Sequence, residues 1–165
     1  MKKIALSLLL VSGSLFAADQ QININVHGYV TAMPCELETT NYVIDLKKIN
    51  IWNIRDSQKS PWVDFSVKLK NCPVATKEAI MTLSGTPDTT TPDYFINNGT
   101  AKNVALNLAD RTNKTTIKNG SKITIPVNSQ TRSVEFPFSA RVAGYGSGME
   151  PGSFRSHLEF NFIYH

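Results

Sequence analysis

The clearest pattern in this chain is an alternation of apolar and polar positions close to each end. In the stretch 20–30 the even positions from 22 onward are apolar or glycine, and polar side chains such as Asn23 and Asn25 stand between them. Successive side chains of an extended strand point to opposite faces, so the pattern predicts a strand with one apolar face. That face carries Ile22, Ile24, Val26, Gly28 and Val30.

A second alternating stretch occupies residues 152–165, at the other end of the chain. Phe154, Leu158, Phe160, Phe162 and Tyr164 all share one parity, which predicts a long amphipathic strand. An apolar strand face must lie against other apolar groups. For the N-terminal stretch, the pattern leaves two interpretations open: a half-buried strand of its own domain, or a strand that lies on another molecule.

Between these two stretches the sequence predicts strands and turns only. Turn-forming dipeptides such as Asn98-Gly99 and Asn119-Gly120 are frequent, and prolines such as Pro137 interrupt or border the strands. No helical periodicity extends over a useful length. Short strands at this spacing favour an all-β fold, a β-sandwich of the immunoglobulin-like type. The predicted internal strands are residues 42–46, 63–69, 79–83, 104–108, 122–127 and 133–142.

The first 17 residues have the features of a secretory signal peptide. Lys2 and Lys3 precede the apolar run 4–11, and small residues lead to a cleavage site after Ala17. The apolar run is far shorter than the ~20 residues of a membrane-spanning helix. We therefore expect an exported protein, either soluble or part of an extracellular assembly.

Charge and motifs exclude several classes of function. Loss of Lys2 and Lys3 with the signal lowers the net charge from +4 to about +2, and no basic block indicates a nucleic-acid partner. We find neither a G-x-S-x-G nor an H-E-x-x-H motif, so we expect no enzyme activity, no cofactor and no small-molecule substrate.

Cys35 and Cys72 are the two cysteines of the chain. In an exported protein a disulfide is the default expectation. The alternatives are a metal site or a reactive thiol. Both are disfavoured, because there is no C-x-x-C motif and the three histidines are distant from both cysteines in the sequence.

Several local features together resemble the chaperone-usher pilus subunits. They are the Ala18-Asp19 start, the alternating arm, Met33-Pro34-Cys35, Asn71-Cys72-Pro73-Val74, and Tyr164 as the penultimate residue; Gly152, fourteenth from the end, also fits. The resemblance covers the whole chain after the signal. It is strongest to the minor tip-adaptor subunit of type 1 fimbriae, through residues 71–74, 83–85 and 98–103.

The resemblance implies a specific fold and mode of assembly. It implies an immunoglobulin-like sandwich that lacks its last strand, with residues 18–30 as a donor-strand extension and residues 31–165 as the pilin domain. A periplasmic chaperone would fill the open groove, and the arm of a neighbouring subunit would replace the chaperone at the outer-membrane usher. The implied donor residues are Ile22, Ile24, Val26, Gly28 and Val30, and the implied chaperone-contact and acceptor-groove residues are Gly152, Leu158, Phe160, Phe162, Tyr164 and His165.

The function that follows is a structural tip adaptor, assembled into a fimbria on the bacterial outer surface and supporting adhesion indirectly. One alternative is a major rod subunit. A second is a pilus subunit that itself recognises a host glycan or matrix ligand, for which Trp52, Trp62 and Tyr94 would be available if exposed.

Overall fold

The computed structural model describes residues 24–28, 34–146 and 148–165. The chain divides into two units, Met1–Thr31 and Ala32–His165. In the first unit, residues 24–28 form no helix or strand, and the side chains of Ile24 and Val26 are 81% and 87% exposed. Ile22, Val30 and the expected signal peptide lie outside the described residues, so the apolar face of the arm stays a prediction.

The second unit is built from β-strands, as predicted. β-branched and aromatic residues favour extended backbone in these segments. Among the described residues, one short helix interrupts the strands. The elements described are β1 Glu36–Leu37, α1 Ile51–Ile54, β2 Val63–Lys70, β3 Glu78–Gly85, β4 Phe95–Ile96, β5 Val104–Asp110, β6 Lys122–Pro126, β7 Val134–Gly144 and β8 Leu158–Tyr164.

These strands form two antiparallel sheets. The larger has the order β1-β2-β7-β5-β4, and the smaller has the order β6-β3-β8. β8 pairs with β3 along its whole length, from Leu158 opposite Gly85 to Tyr164 opposite Ala79. In the described part of the chain no strand pairs with the other edge of β8, so the smaller sheet ends there.

Inward-facing side chains of both sheets form a single core. On β7, Val134 and Phe136 are buried while Glu135 between them is exposed, as period-two alternation predicts. Met81 of β3 and Leu108 of β5 are fully buried in the same cluster. The all-β sandwich predicted from the sequence is therefore confirmed.

Every predicted internal strand except residues 42–46 is confirmed. Those residues show the expected alternation of exposure, but their backbone pairs with no strand among the described residues. Alternation reports which side chains are buried, whereas a strand also needs a hydrogen-bonded neighbour. The prediction of a strand at 42–46 was wrong for the chain by itself.

Pro137 lies inside β7 rather than at its border. Proline has no N–H group for a sheet ladder, which usually confines it to sheet edges. The β5 ladder ends at Asp110 opposite Phe138, and the Arg111 N–H group then donates to the Pro137 carbonyl at 3.3 Å. Pro137, the residue without an N–H group, therefore lies just beyond the last residue of β7 that pairs with β5.

Cys35 and Cys72, 37 positions apart in the sequence, form the expected disulfide, with their Cα atoms 4.1 Å apart. Both are buried beside the pairing of β1 with β2. The disulfide ties the start of the second unit to the end of β2.

We expect the double variant Cys35→Ala/Cys72→Ala to lose about 2 to 4 kcal/mol of unfolding free energy, because the unfolded chain is no longer restricted by the cross-link. Urea denaturation of the chain without its signal measures this loss. Reducing agent should lower the stability of the wild type by a similar amount and leave the double variant unchanged. Equal stability of the two proteins would contradict this account.

Candidate functional site

An open cleft lies beside β8, between that strand and the residues that follow β1. Its volume is about 660 Å³. β8 supplies one wall, residues 37–44 supply the opposite wall, and β2 supplies Phe65 and Val67. The lining residues are Leu37, Thr39, Thr40, Asn41, Tyr42, Val43, Ile44, Phe65, Val67, Ser156, His157, Leu158, Glu159, Phe160, Asn161 and Phe162.

Aromatic rings form the inner surface of this cleft. Phe160 stacks on Phe138 of the facing sheet, with ring centroids 5.3 Å apart, and Phe162 lies 5.5 Å from Phe136. Phe65 contacts Phe138 at 5.4 Å. Because Phe160 and Phe162 are only half-buried, they offer apolar surface that another chain could cover.

The opposite wall has the same alternation. Tyr42 and Ile44 are half-buried, whereas Val43 between them is 93% exposed. The Tyr42 hydroxyl accepts a hydrogen bond of 3.4 Å from the Lys68 N–H group. The cleft is thus bordered by β8 and by residues 42–44, and neither the free edge of β8 nor these residues have a strand partner among the described residues.

The predicted groove residues fall into two groups. Leu158, Phe160 and Phe162 line the cleft, as expected for one face of β8. Tyr164 is half-buried at the end of the strand, and burial raises the pKa of its phenol above the usual value. The His165 carbonyl oxygen accepts hydrogen bonds from the N–H groups of Lys77 and Glu78, at 2.5 and 3.1 Å. Tyr164 and His165 therefore hold the end of β8 and do not line the cleft.

Gly152 lies outside the cleft as well, in the segment before β8. It borders a second cavity of about 370 Å³, together with residues such as Trp52 and Phe154. A Cβ atom at position 152 would lie 2.6 Å from the Thr100 carbonyl carbon, too close for any side chain. Glycine is required here for the close approach of two backbone segments.

Sequence reasoning missed the wall opposite β8 and the contribution of β2. The alternation of residues 42–46 and 63–69 was recognised, but nothing in it indicated that Tyr42, Ile44, Phe65 and Val67 border the same cleft. Trp52, expected more often to pack in a core, is 66% exposed.

Neither a metal site nor a membrane-spanning helix is found in the residues that the structure describes. No group of three or more His, Cys, Asp or Glu side chains is arranged to hold a metal ion. No helix is long and apolar enough to cross a membrane. The chemistry of the cleft is that of apolar contact and backbone hydrogen bonding.

Comparison with known proteins identifies the family. The family model described as Fimbrial protein matches residues 24–165. The chain belongs to the fimbrial protein family. Among relatives of this fimbrial subunit, Protein FimG of Escherichia coli strain K12 is 32% identical over 162 residues, which make up 98% of this chain and 94% of FimG.

Solved structures of pilus subunits share the fold. The P pilus rod subunit PapA matches with a TM-score of 0.67 at 15% identity, covering 81% of this chain and all of PapA. The P pilus adaptor subunit PapF matches with a TM-score of 0.56 at 18% identity, covering 80% of this chain and 96% of PapF. The resemblance to chaperone-usher pilus subunits and the incomplete immunoglobulin-like sandwich are therefore confirmed. The protein is a subunit of a chaperone-usher fimbria.

The raised pKa of Tyr164 predicts alkaline sensitivity. The folded state binds the phenol proton more tightly than the unfolded chain does, so stability is retained at neutral pH and falls as the pH rises above about 10. We expect Tyr164→Phe, which keeps the ring, to flatten that fall in urea-denaturation measurements across this range. Tyr145→Phe serves as the comparison, because burial and the nearby Asp88 also raise the pKa of Tyr145. Identical pH slopes for wild type and Tyr164→Phe would refute the assignment to Tyr164.

Proposed function

We propose that the protein is an adaptor subunit in the tip of a chaperone-usher fimbria. Its cleft beside β8 receives a β-strand from a neighbouring subunit, and its own residues 18–30 provide the corresponding strand to another subunit. The observation that carries this proposal is the unpaired edge of β8 above an open, aromatic-lined cleft.

An added β-strand matches both the polar and the apolar chemistry of the cleft. The edge of β8 offers backbone N–H and C=O groups, and each hydrogen bond they form contributes about 1 kcal/mol net. The half-buried Phe160 and Phe162 offer apolar surface below that edge. A strand satisfies both at once, because its backbone pairs sideways while alternate side chains point into the cleft.

The same strand would give residues 42–46 a partner. This segment alternates in exposure like a strand and lies across the cleft from β8, but it has no backbone partner among the described residues. A donor strand seated between the two would hydrogen-bond on both sides. The wrongly predicted strand would then form in the assembled fibre.

The N-terminal arm has the composition of such a donor. Full burial of Ile22, Ile24, Val26 and Val30 in a neighbour would contribute roughly 6 to 12 kcal/mol before ordering costs are subtracted. In the described part of the arm, Ile24 and Val26 are exposed and available. Gly28 lies on the same face and has no side chain, so we place it where the neighbour's groove is shallow.

Transit requires protection of the cleft. An exposed strand edge above apolar surface favours aggregation, so a free subunit needs a temporary cover. We assign that cover to a periplasmic chaperone that contacts β8, with Tyr164 and the His165 carboxylate at the end of the contact. An outer-membrane usher would then exchange the chaperone for the arm of the next subunit, after export directed by residues 1–17.

The adaptor role is favoured over a rod role by sequence rather than by fold. PapA, a rod subunit, and PapF, an adaptor subunit, both match the structure. The argument for an adaptor is the 32% identity, over nearly the whole chain, to FimG, a minor subunit of type 1 fimbriae.

We expect the domain lacking residues 18–30 to unfold at a low temperature, and its melting temperature to rise sharply when a peptide of residues 18–30 is added. The reason is mass action: a ligand that binds only the folded state stabilises that state. Differential scanning fluorimetry over a series of peptide concentrations measures the shift.

Phe160→Ala should reduce the shift, because it removes apolar surface from the cleft. Ile163→Ala, on the opposite face of β8 and outside the cleft lining, is the matched control and should leave the shift unchanged. A melting temperature that is high and indifferent to the peptide would mean that the sandwich is already closed, and the proposal would fail.

We expect Gly28→Leu to slow incorporation of the subunit into fibres while chaperone binding is retained, because the added side chain has no room in a shallow groove. His27→Leu places the same side chain on the opposite face of the arm and should assemble normally. Purified fimbriae and chaperone co-purification give the two readouts. Normal incorporation of Gly28→Leu would count against this placement of the arm.

Immunogold labelling of wild-type fibres in the same experiment separates adaptor from rod. An adaptor should be labelled at one end of each fibre. Labelling along the whole shaft would identify a rod subunit. That result would contradict the adaptor role but not strand exchange.

A further inference from the structure

The outer face of the larger sheet carries a group of charged and aromatic side chains that strand exchange does not use. Trp62 lies at the start of β2, with the Arg141 guanidinium 3.8 Å and the Lys114 ammonium 5.5 Å from its ring centroid. Both distances are within the range of cation–π attraction. This face is separate from the cleft, because Asp64 and Ser66 point outward on β2 while Phe65 and Val67 line the cleft.

Most charges on this face are paired. Lys114 Nζ donates to Asp64 at 3.0 Å and to the Ser139 hydroxyl at 2.6 Å. Arg111 forms an ion pair with Glu135 at 3.3 Å. Arg141 forms no ion pair in the described part of the chain, so no neighbouring carboxylate compensates its charge.

The Arg141 side chain is nevertheless held in place. Its Nε–H donates to Asn107 Oδ1 at 3.0 Å, and Asn107, directly opposite it in the β5–β7 ladder, is fully buried. Asn107 Nδ2 donates in turn to Thr116 Oγ1 at 3.1 Å, which fixes the amide so that its oxygen faces the arginine.

The terminal nitrogens of Arg141 remain available. Among the described residues its only hydrogen bond is the one through Nε, and no buried side-chain nitrogen lacks a partner, so these nitrogens are open to solvent. Burial of the side chain lowers the pKa of the guanidinium from its ordinary value. A half-buried cation without a counter-ion gains most from an anionic ligand.

We propose that Arg141, stacked on Trp62 and oriented by Asn107, binds the carboxylate of an acidic sugar such as a sialic or uronic acid residue of a surface glycan. The two free nitrogens of a guanidinium fork match the two oxygens of a carboxylate. Trp62, stacked on the guanidinium, provides the aromatic neighbour typical of recognition sites.

The test uses the chain without its signal, titrated with N-acetylneuraminic acid and with glucuronic acid, with neutral galactose as the control sugar. Binding is read from the NMR signals of the Trp62 indole and the Arg141 side chain. We expect saturable shifts with both acids and none with galactose. Addition of the arm peptide should leave them unchanged, because the cleft and this face are separate.

Two variants locate the site. Arg141→Gln removes the cation. Asn107→Asp keeps the shape but places a carboxylate beside Arg141 Nε, which compensates the charge internally. Both should weaken binding at least about tenfold. Arg132→Gln makes the same change of charge at an exposed position just before β7 and should bind like the wild type.

Three results would overturn the proposal. They are the absence of any shift in the wild type, unchanged binding in a folded Asn107→Asp variant, and binding of an oligoglutamate peptide at Arg141 while both acidic sugars fail. The last result would assign the site to an acidic protein partner instead.

Discussion

The structure depends on one feature of β8: among the described residues, one edge of this strand has no strand partner. On one side this strand is fully paired with β3, and its Phe160 and Phe162 rings pack on the facing sheet. On the other side, among the described residues, neither its backbone edge nor the adjoining apolar surface is covered by a strand. The cleft and residues 42–46 both follow from that open edge.

The other edge of the same sheet shows that an open edge can be protected. β6 begins with Lys122 and ends with Pro126, both exposed, and these residues discourage pairing with another chain. β8 has Glu159 and Asn161 on its outer face but neither lysine nor proline within the strand. The difference between the two edges supports the interpretation that the open edge of β8, unlike that of β6, pairs with a strand of another chain.

Most of the fold could be predicted from the sequence because alternation records which face of each strand is buried. Strands β2, β3, β5, β6, β7 and β8 were found in this way. The same signal failed at residues 42–46, where the pattern describes a strand but the described chain offers no partner. A sequence carries no direct record of whether the partner of a strand belongs to the same molecule.

Sites that depend on the pairing register of two strands could not be predicted from the sequence, for a similar reason. Asn107 and Arg141 are opposite one another only because β5 pairs with β7 in one register. Trp62 joins them from the adjoining strand β2, and each of the three residues has an ordinary sequence context. Asn119-Gly120 shows the same limit on a smaller scale: Gly120 has the positive φ expected of a turn, but the turn joins β5 and β6, which belong to different sheets and form no hairpin.

The two faces of the larger sheet therefore separate two kinds of chemistry. Phe65 and Val67 on the inner face of β2 border the cleft, and Asp64 and Ser66 on its outer face belong to a network of charged and polar groups. In the proposed assembly, a strand added beside β8 would cover the cleft and leave the outer side chains of β2 and β7 where they are. Because the shared ladder fixes the backbone of these strands, filling the cleft would not change the geometry of the outer face. A subunit of this design would be joined to its neighbours through the cleft while its outer face stays exposed.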